Sequence, residues 1–211
     1  MQQLQELIGV DTDYSDSPLA ADQEQANVMK NVGLLLLRLV AGGLLAGHGA
    51  QKLFGAFGGY GLKGTAGWLE SLGLKPGTFW ALGASASEFG GGTLTALGLF
   101  HPIGPIGTLG AMSMATAKAH WGKPIWVAEG GAELPTVNMA AALAMILNGP
   151  GTYSLDRVFG IRVPRAVVAA VLVAEVALTV VGILSRPTPP PPQTESQSAS
   201  ELQAGKGSGT L

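Results

Sequence analysis

A chain of 211 residues that is 47% hydrophobic and only 12% charged falls well short of the roughly one-quarter charged content of soluble domains, and reads as a membrane protein. Its net charge of -2 gives no basic surface for nucleic acid, and the absence of cysteine excludes disulfides, thiolate metal sites and cysteine nucleophiles within it. The 32 glycines suit helices that approach one another closely in lipid.

Residues 1–30 carry six acids (Glu6, Asp11, Asp13, Asp16, Asp22, Glu24) against one base, Lys30, and read as an acidic, mostly disordered tail. They lack the basic start and early apolar run of a signal peptide. Five apolar segments follow, at 32–54, 77–100, 102–121, 126–147 and 164–184. Each is close to the 20 residues or so that a helix needs to cross a bilayer. The second opens after Lys75-Pro76, where proline suits a first helical turn. Glu129, Glu133 and Pro135 delay the start of the fourth helix to about Leu134. Between the first two segments, Trp68, Leu69 and Leu72 share one face of a short interfacial helix. Residues 186–211 are rich in Pro, Ser and Gly and read as a second disordered tail.

The ionisable groups inside these segments are few. If each segment crosses once, His48, Lys52, His120, Lys123, Glu129 and Glu133 gather on one side. Arg38 and Glu88 then lie at matching depth near the middle, and an Arg38–Glu88 ion pair is expected. Such a pair either only specifies which helices pack or helps form a polar pocket for a ligand. His48 and His120 could also bracket a haem iron, although interfacial histidines more often serve as hydrogen-bonding groups; no metal site is assigned. Glu175 reaches the middle of its helix from the opposite side. No internal repeat points to a transporter.

The run RLVAGGLLAGHGAQKLFGAFGG from Arg38, with Gly49, Phe54, Gly58 and Gly59, resembles the DoxX family of small bacterial and archaeal membrane proteins. So do Gly64-Thr65-Ala66, Glu88 with Gly90-Gly91-Gly92, the Gly104–Gly110 region and the NGPGTYSLD run, with Asn148, Gly149, Pro150, Gly151, Ser154 and Asp156. The resemblance implies an all-α, polytopic membrane four-helix bundle over residues 31–160, to which 161–185 add a fifth transmembrane helix. It implies an inner (plasma) membrane location and, since some family members are subunits or partners of redox enzymes, a redox-associated role. The expected function is a subunit whose polar intramembrane pocket, drawn from Arg38, His48, Gln51, Lys52, Glu88, His120 and Glu133, holds a quinone. The alternative is a non-catalytic scaffold. It would recruit a membrane or soluble oxidoreductase subunit, or stabilise a larger membrane complex. The lipid bilayer is the one partner common to both.

Overall fold

The computed structural model describes residues 18–186, and within them every regular element is helical. Helix α1 runs from Pro18 to Phe54. It is followed by α2 (Gly61–Ser71), α3 (77–97), α4 (103–120), α5 (Glu133–Asn148), the short α6 (Leu155–Phe159) and α7 (Arg165–Leu184). Two of these, α1 and α7, are long and apolar enough to cross a bilayer. A short helix expected around Trp68 is present as α2, and the fourth apolar segment becomes helical at Glu133, after a single 3₁₀ turn at Val127–Glu129.

Residues 18–30 correct the expectation of a disordered tail to residue 30, because α1 begins at Pro18. Their Leu, Ala, Gln, Glu and Met residues are good helix formers, and proline fits the first helical position. Extending an existing helix also costs far less than nucleating one, so the apolar run beyond Val32 carries the helix backward without an apolar period of its own. The remainder of that tail, residues 1–17, and residues 187–211 of the Pro/Ser/Gly-rich tail lie outside the described residues.

Helices α1 and α3 pack antiparallel along a seam of small residues. A Cβ on Gly42 would stand 2.6 Å from the Ala96 nitrogen, and one on Gly92 would stand 2.5 Å from the Ala46 nitrogen. Only glycine permits backbones to approach this closely. Farther along, Gly49 faces Phe89, whose ring meets Phe54 edge-on at 5.4 Å. This constant register sets Arg38 against the turn at Gly98 and Lys52 against Glu88. Helix α1 therefore stops about halfway along α3. A glycine-rich turn follows, with Gly55, Phe57, Gly58 and Gly61 at positive φ, and α2 then takes over beside the first half of α3. Leu69 and Leu74 bury themselves against Ala81 there, with Trp80 and Met114 alongside.

Helix α7 runs parallel to α4. Glu175 lies against Gly110, Gly182 against Met114, and Lys118 donates to the Ser185 carbonyl. Among the described residues nothing covers the opposite side of α7, and only 6% of its apolar window is buried.

Candidate functional site

Three helices contain a wide π turn, at Arg38–Gly42 in α1, Ala86–Gly90 in α3 and Thr116–His120 in α4. Each turn carries ionisable side chains: Arg38, Glu88, and Lys118 with His120. A π turn adds a residue to the helical circuit and so re-aims the side chains that follow it, a device frequent at functional sites. Two separate polar centres result.

The first centre is a clasp. Arg38, 3% exposed, donates from its two terminal nitrogens to the carbonyls of Pro150 and Tyr153. Around it, the Asn31 side-chain oxygen accepts from the Thr152 amide at 2.8 Å, and the Ser154 hydroxyl donates to the Gly151 carbonyl at 2.8 Å. Buried Asp156 accepts from the amides of Phe100 and His101, each at 2.8 Å, while its own amide donates to the Gly98 carbonyl at 3.0 Å. The Gly149, Pro150, Gly151, Ser154 and Asp156 run thus ties the α5–α6 connection to α1 and to the α3–α4 turn. Gly98 has φ +63°, and a Cβ there would meet both the Arg38 guanidinium and the Ser154 side chain, so this turn needs glycine. Burial pushes the His101 imidazole below its ordinary pKa, partly offset by the nearby Asp156 carboxylate.

The second centre is an ion pair beneath a cleft. Lys52 donates to one oxygen of Glu88, whose side chain is 4% exposed against 28% for the lysine. The other Glu88 oxygen and the Ser85 hydroxyl, one helical turn earlier, are buried with no hydrogen-bond partner among the described residues. The Thr65 hydroxyl donates to the Lys52 carbonyl at 3.3 Å and holds α2 over the pair. Outward from Lys52 opens a cleft of about 600 Å³, lined by Gln51, Gly58, Gly59, Tyr60, Gly64, Thr65 and Trp68. Gly59 belongs there by necessity, since a Cβ would collide with the Gln51 backbone.

The expected Arg38–Glu88 pair does not exist. Ten residues of α3 separate Glu88 from the Gly98 turn that Arg38 faces, about 15 Å of rise. The expectation assumed that α1 and α3 begin and end at the same level, whereas α2 offsets them by half a helix. Of the expected pocket residues, Gln51, Lys52 and Glu88 come together and Arg38 joins the clasp. His48 is exposed one turn before Lys52. His120 and Glu133 organise the α4–α5 loop instead: the His120 Nδ1 meets the Gly130 carbonyl at 2.6 Å, and Glu133 accepts from the Val127 amide at 2.8 Å. Of the residues that the resemblance marked, Gly49 serves the α1–α3 seam, Phe54 braces α3, and Gly58 and Gly59 line the cleft, while exposed Asn148 closes α5 with a bond to its own helix.

Sequence reasoning missed Ser85, Tyr60 and Thr65 as members of the second centre. Ser85 was within reach, because it precedes Glu88 by three residues and so shares its helix face. Glu175 does sit level with this centre, on the far side of α3, where the Ser87 hydroxyl donates to it at 3.4 Å. Among the described residues, no cluster of three or more acidic, histidine or cysteine side chains could hold a metal ion.

Comparison with known proteins assigns residues 33–121 to the DoxX family model. The match covers α1 from Gly33 through the end of α4 and so contains the Lys52–Glu88 centre, while the Asn148–Asp156 element lies beyond it. No curated protein and no solved structure matches the chain.

Proposed function

The chain belongs to the DoxX family through residues 33–121, and from that premise we propose that it is a multi-pass membrane subunit whose Lys52–Glu88 centre receives the head group of a quinone. Helix α7 sets the depth. Its 20 residues span about 30 Å, one hydrocarbon thickness, from Arg165, level with the Arg38 clasp, to Leu184, level with Lys118. On that scale α3, α4, α5 and α7 each cross, α1 enters from the clasp side and ends near the midplane, where α2 takes over beside α3, and Glu88 lies at that mid-depth. Arg38, expected at mid-depth, takes the interface in this reading.

The observation that carries the proposal is an open cleft lined by Gln51, Lys52, Tyr60 and Trp68, whose lysine reaches inward to the buried Glu88 carboxylate. Behind that lysine, one Glu88 oxygen and the Ser85 hydroxyl are buried without a partner among the described residues, a cost of about 1–3 kcal/mol each that a bound water would recover. Non-helical backbone at membrane depth persists where it lines a cavity, and the 55–60 turn does so. A quinone ring presents a flat π face and two carbonyl oxygens. The Trp68 and Tyr60 rings suit the face, while the Lys52 ammonium and Gln51 amide suit the carbonyls. Reduction to the quinol needs two electrons, which a partner oxidoreductase supplies, and two protons, which come from water entering the open cleft and pass one at a time, with the Lys52–Glu88 pair as the relay.

The test is titration of the purified full chain with decylubiquinone, read by tryptophan fluorescence. Saturable quenching is expected, with its midpoint raised at least about tenfold in Lys52→Met. Absence of quenching, or an unchanged midpoint in that variant, refutes the proposal.

One observation favours the scaffold reading: from Pro18 to Leu37 the sole buried residue of α1 is Leu34, leaving a long helical surface open to a partner subunit. A stoichiometric oxidoreductase recovered from mild-detergent extracts by the full chain, and lost when residues 18–30 are replaced by a Gly/Ser segment, supports it. A chain that always purifies alone counts against it.

A further inference from the structure

We infer that the clasp end of the molecule carries a binding site for the phosphate of an anionic phospholipid, separate from the Lys52–Glu88 centre. A groove of about 650 Å³ opens beside the clasp, lined by Arg157 and Arg162 with Asn31 and the backbone of Pro150–Thr152. Both arginines are exposed, and among the described residues neither has an acidic partner. The groove does contain a carboxylate, Asp156, but that side chain is buried and its two oxygens accept from the Phe100 and His101 amides. Its negative charge is therefore turned inward, and the arginines keep their donors free for an incoming anion. Two guanidinium forks across one groove match the oxygens of a phosphate, which arginine binds in bidentate fashion.

The surroundings specify a lipid as the source of that phosphate. The groove adjoins the start of α7, where Arg165 adds a third exposed cation before an apolar face that nothing among the described residues covers. On α1 beside it, Val32 and Leu36 are exposed as well. A head group in the groove would place its acyl chains along these bare apolar surfaces, so one molecule satisfies both. Basic recesses at helix ends recognise anionic head groups in this way.

The experiment is native mass spectrometry of the full chain released from mild detergent, with phosphatidylglycerol, phosphatidylcholine or inorganic phosphate added in parallel. Phosphatidylglycerol should be retained in preference to phosphatidylcholine. The double variant Arg157→Gln/Arg162→Gln should lose that affinity by about thirtyfold, from two cations near the membrane surface. A control of equal charge change at the opposite end, Lys63→Gln/Lys123→Gln, should retain the lipid as wild type does. Equal retention of both lipids, equal losses in the two double variants, or binding of inorganic phosphate without phosphatidylglycerol would overturn the inference. Quinone titration of the same variants stays unchanged, so failure here leaves the proposed function standing, and the converse holds.

Discussion

Removal of Lys52 should destabilise the protein more than removal of its partner Glu88. The asymmetry follows from burial: the Glu88 side chain is 4% exposed and the Lys52 side chain 28%. In Lys52→Met the carboxylate loses its one partner while its other oxygen already lacks one, leaving a stranded charge. Breaking a buried pair in this way costs about 3–5 kcal/mol, and the lower end applies because the cleft admits some water. In Glu88→Gln the lysine still finds an acceptor in the amide oxygen, and its ammonium can extend along the cleft toward water, so the cost is about 1 kcal/mol. The double variant should cost less than the two singles together, with a coupling of about 2 kcal/mol. Equilibrium unfolding in mixed micelles measures all three. Equal costs for the two single variants, or strict additivity in the double, would refute the asymmetric buried pair.

Arg38→Leu should cost about 3 kcal/mol, because it strands the carbonyls of Pro150 and Tyr153, and its effect should add to that of Glu88→Gln within about 0.5 kcal/mol. The same unfolding assay checks this, and strong coupling would restore the pairing that the helix register denies. Stability should rise with pH through the histidine range: burial lowers the His101 pKa, so the unfolded chain binds the proton more readily, and the contribution is lost as pH falls below about 6.5. Thermal melts of wild type between pH 5 and 7.5 should show this slope, and His101→Gln should flatten it. Gly92→Val should abolish the α1–α3 seam, seen as loss of folded yield, since a Cβ alone comes within 2.5 Å of Ala46.

Helix positions were legible because apolar run length and proline placement act locally. The segment at 164–184 became Arg165–Leu184, and Trp68 with Leu69 did mark a short helix at Gly61–Ser71. Partners were harder to read, since depth was counted from helix ends that were assumed level. The break after Phe54 places the end of α1 halfway along α3, and no periodicity announces such an offset. The π turns at Arg38 and Glu88 were not read from the sequence either, and the bonds those two side chains make are to residues far along the chain. The Asn148–Asp156 run was visible as a motif, yet its purpose as a clasp on Arg38 depends on contacts over more than one hundred residues of sequence.

The central claim is that the cleft above Lys52 and Glu88 receives a quinone head group. Photo-crosslinking of the full chain with an azido-quinone, followed by peptide mapping, tests it most directly. The account predicts label on residues 51–68, suppressed by excess decylubiquinone and by Lys52→Met. Label confined to α5 or the outer face of α7, or label that excess quinone does not displace, would contradict it.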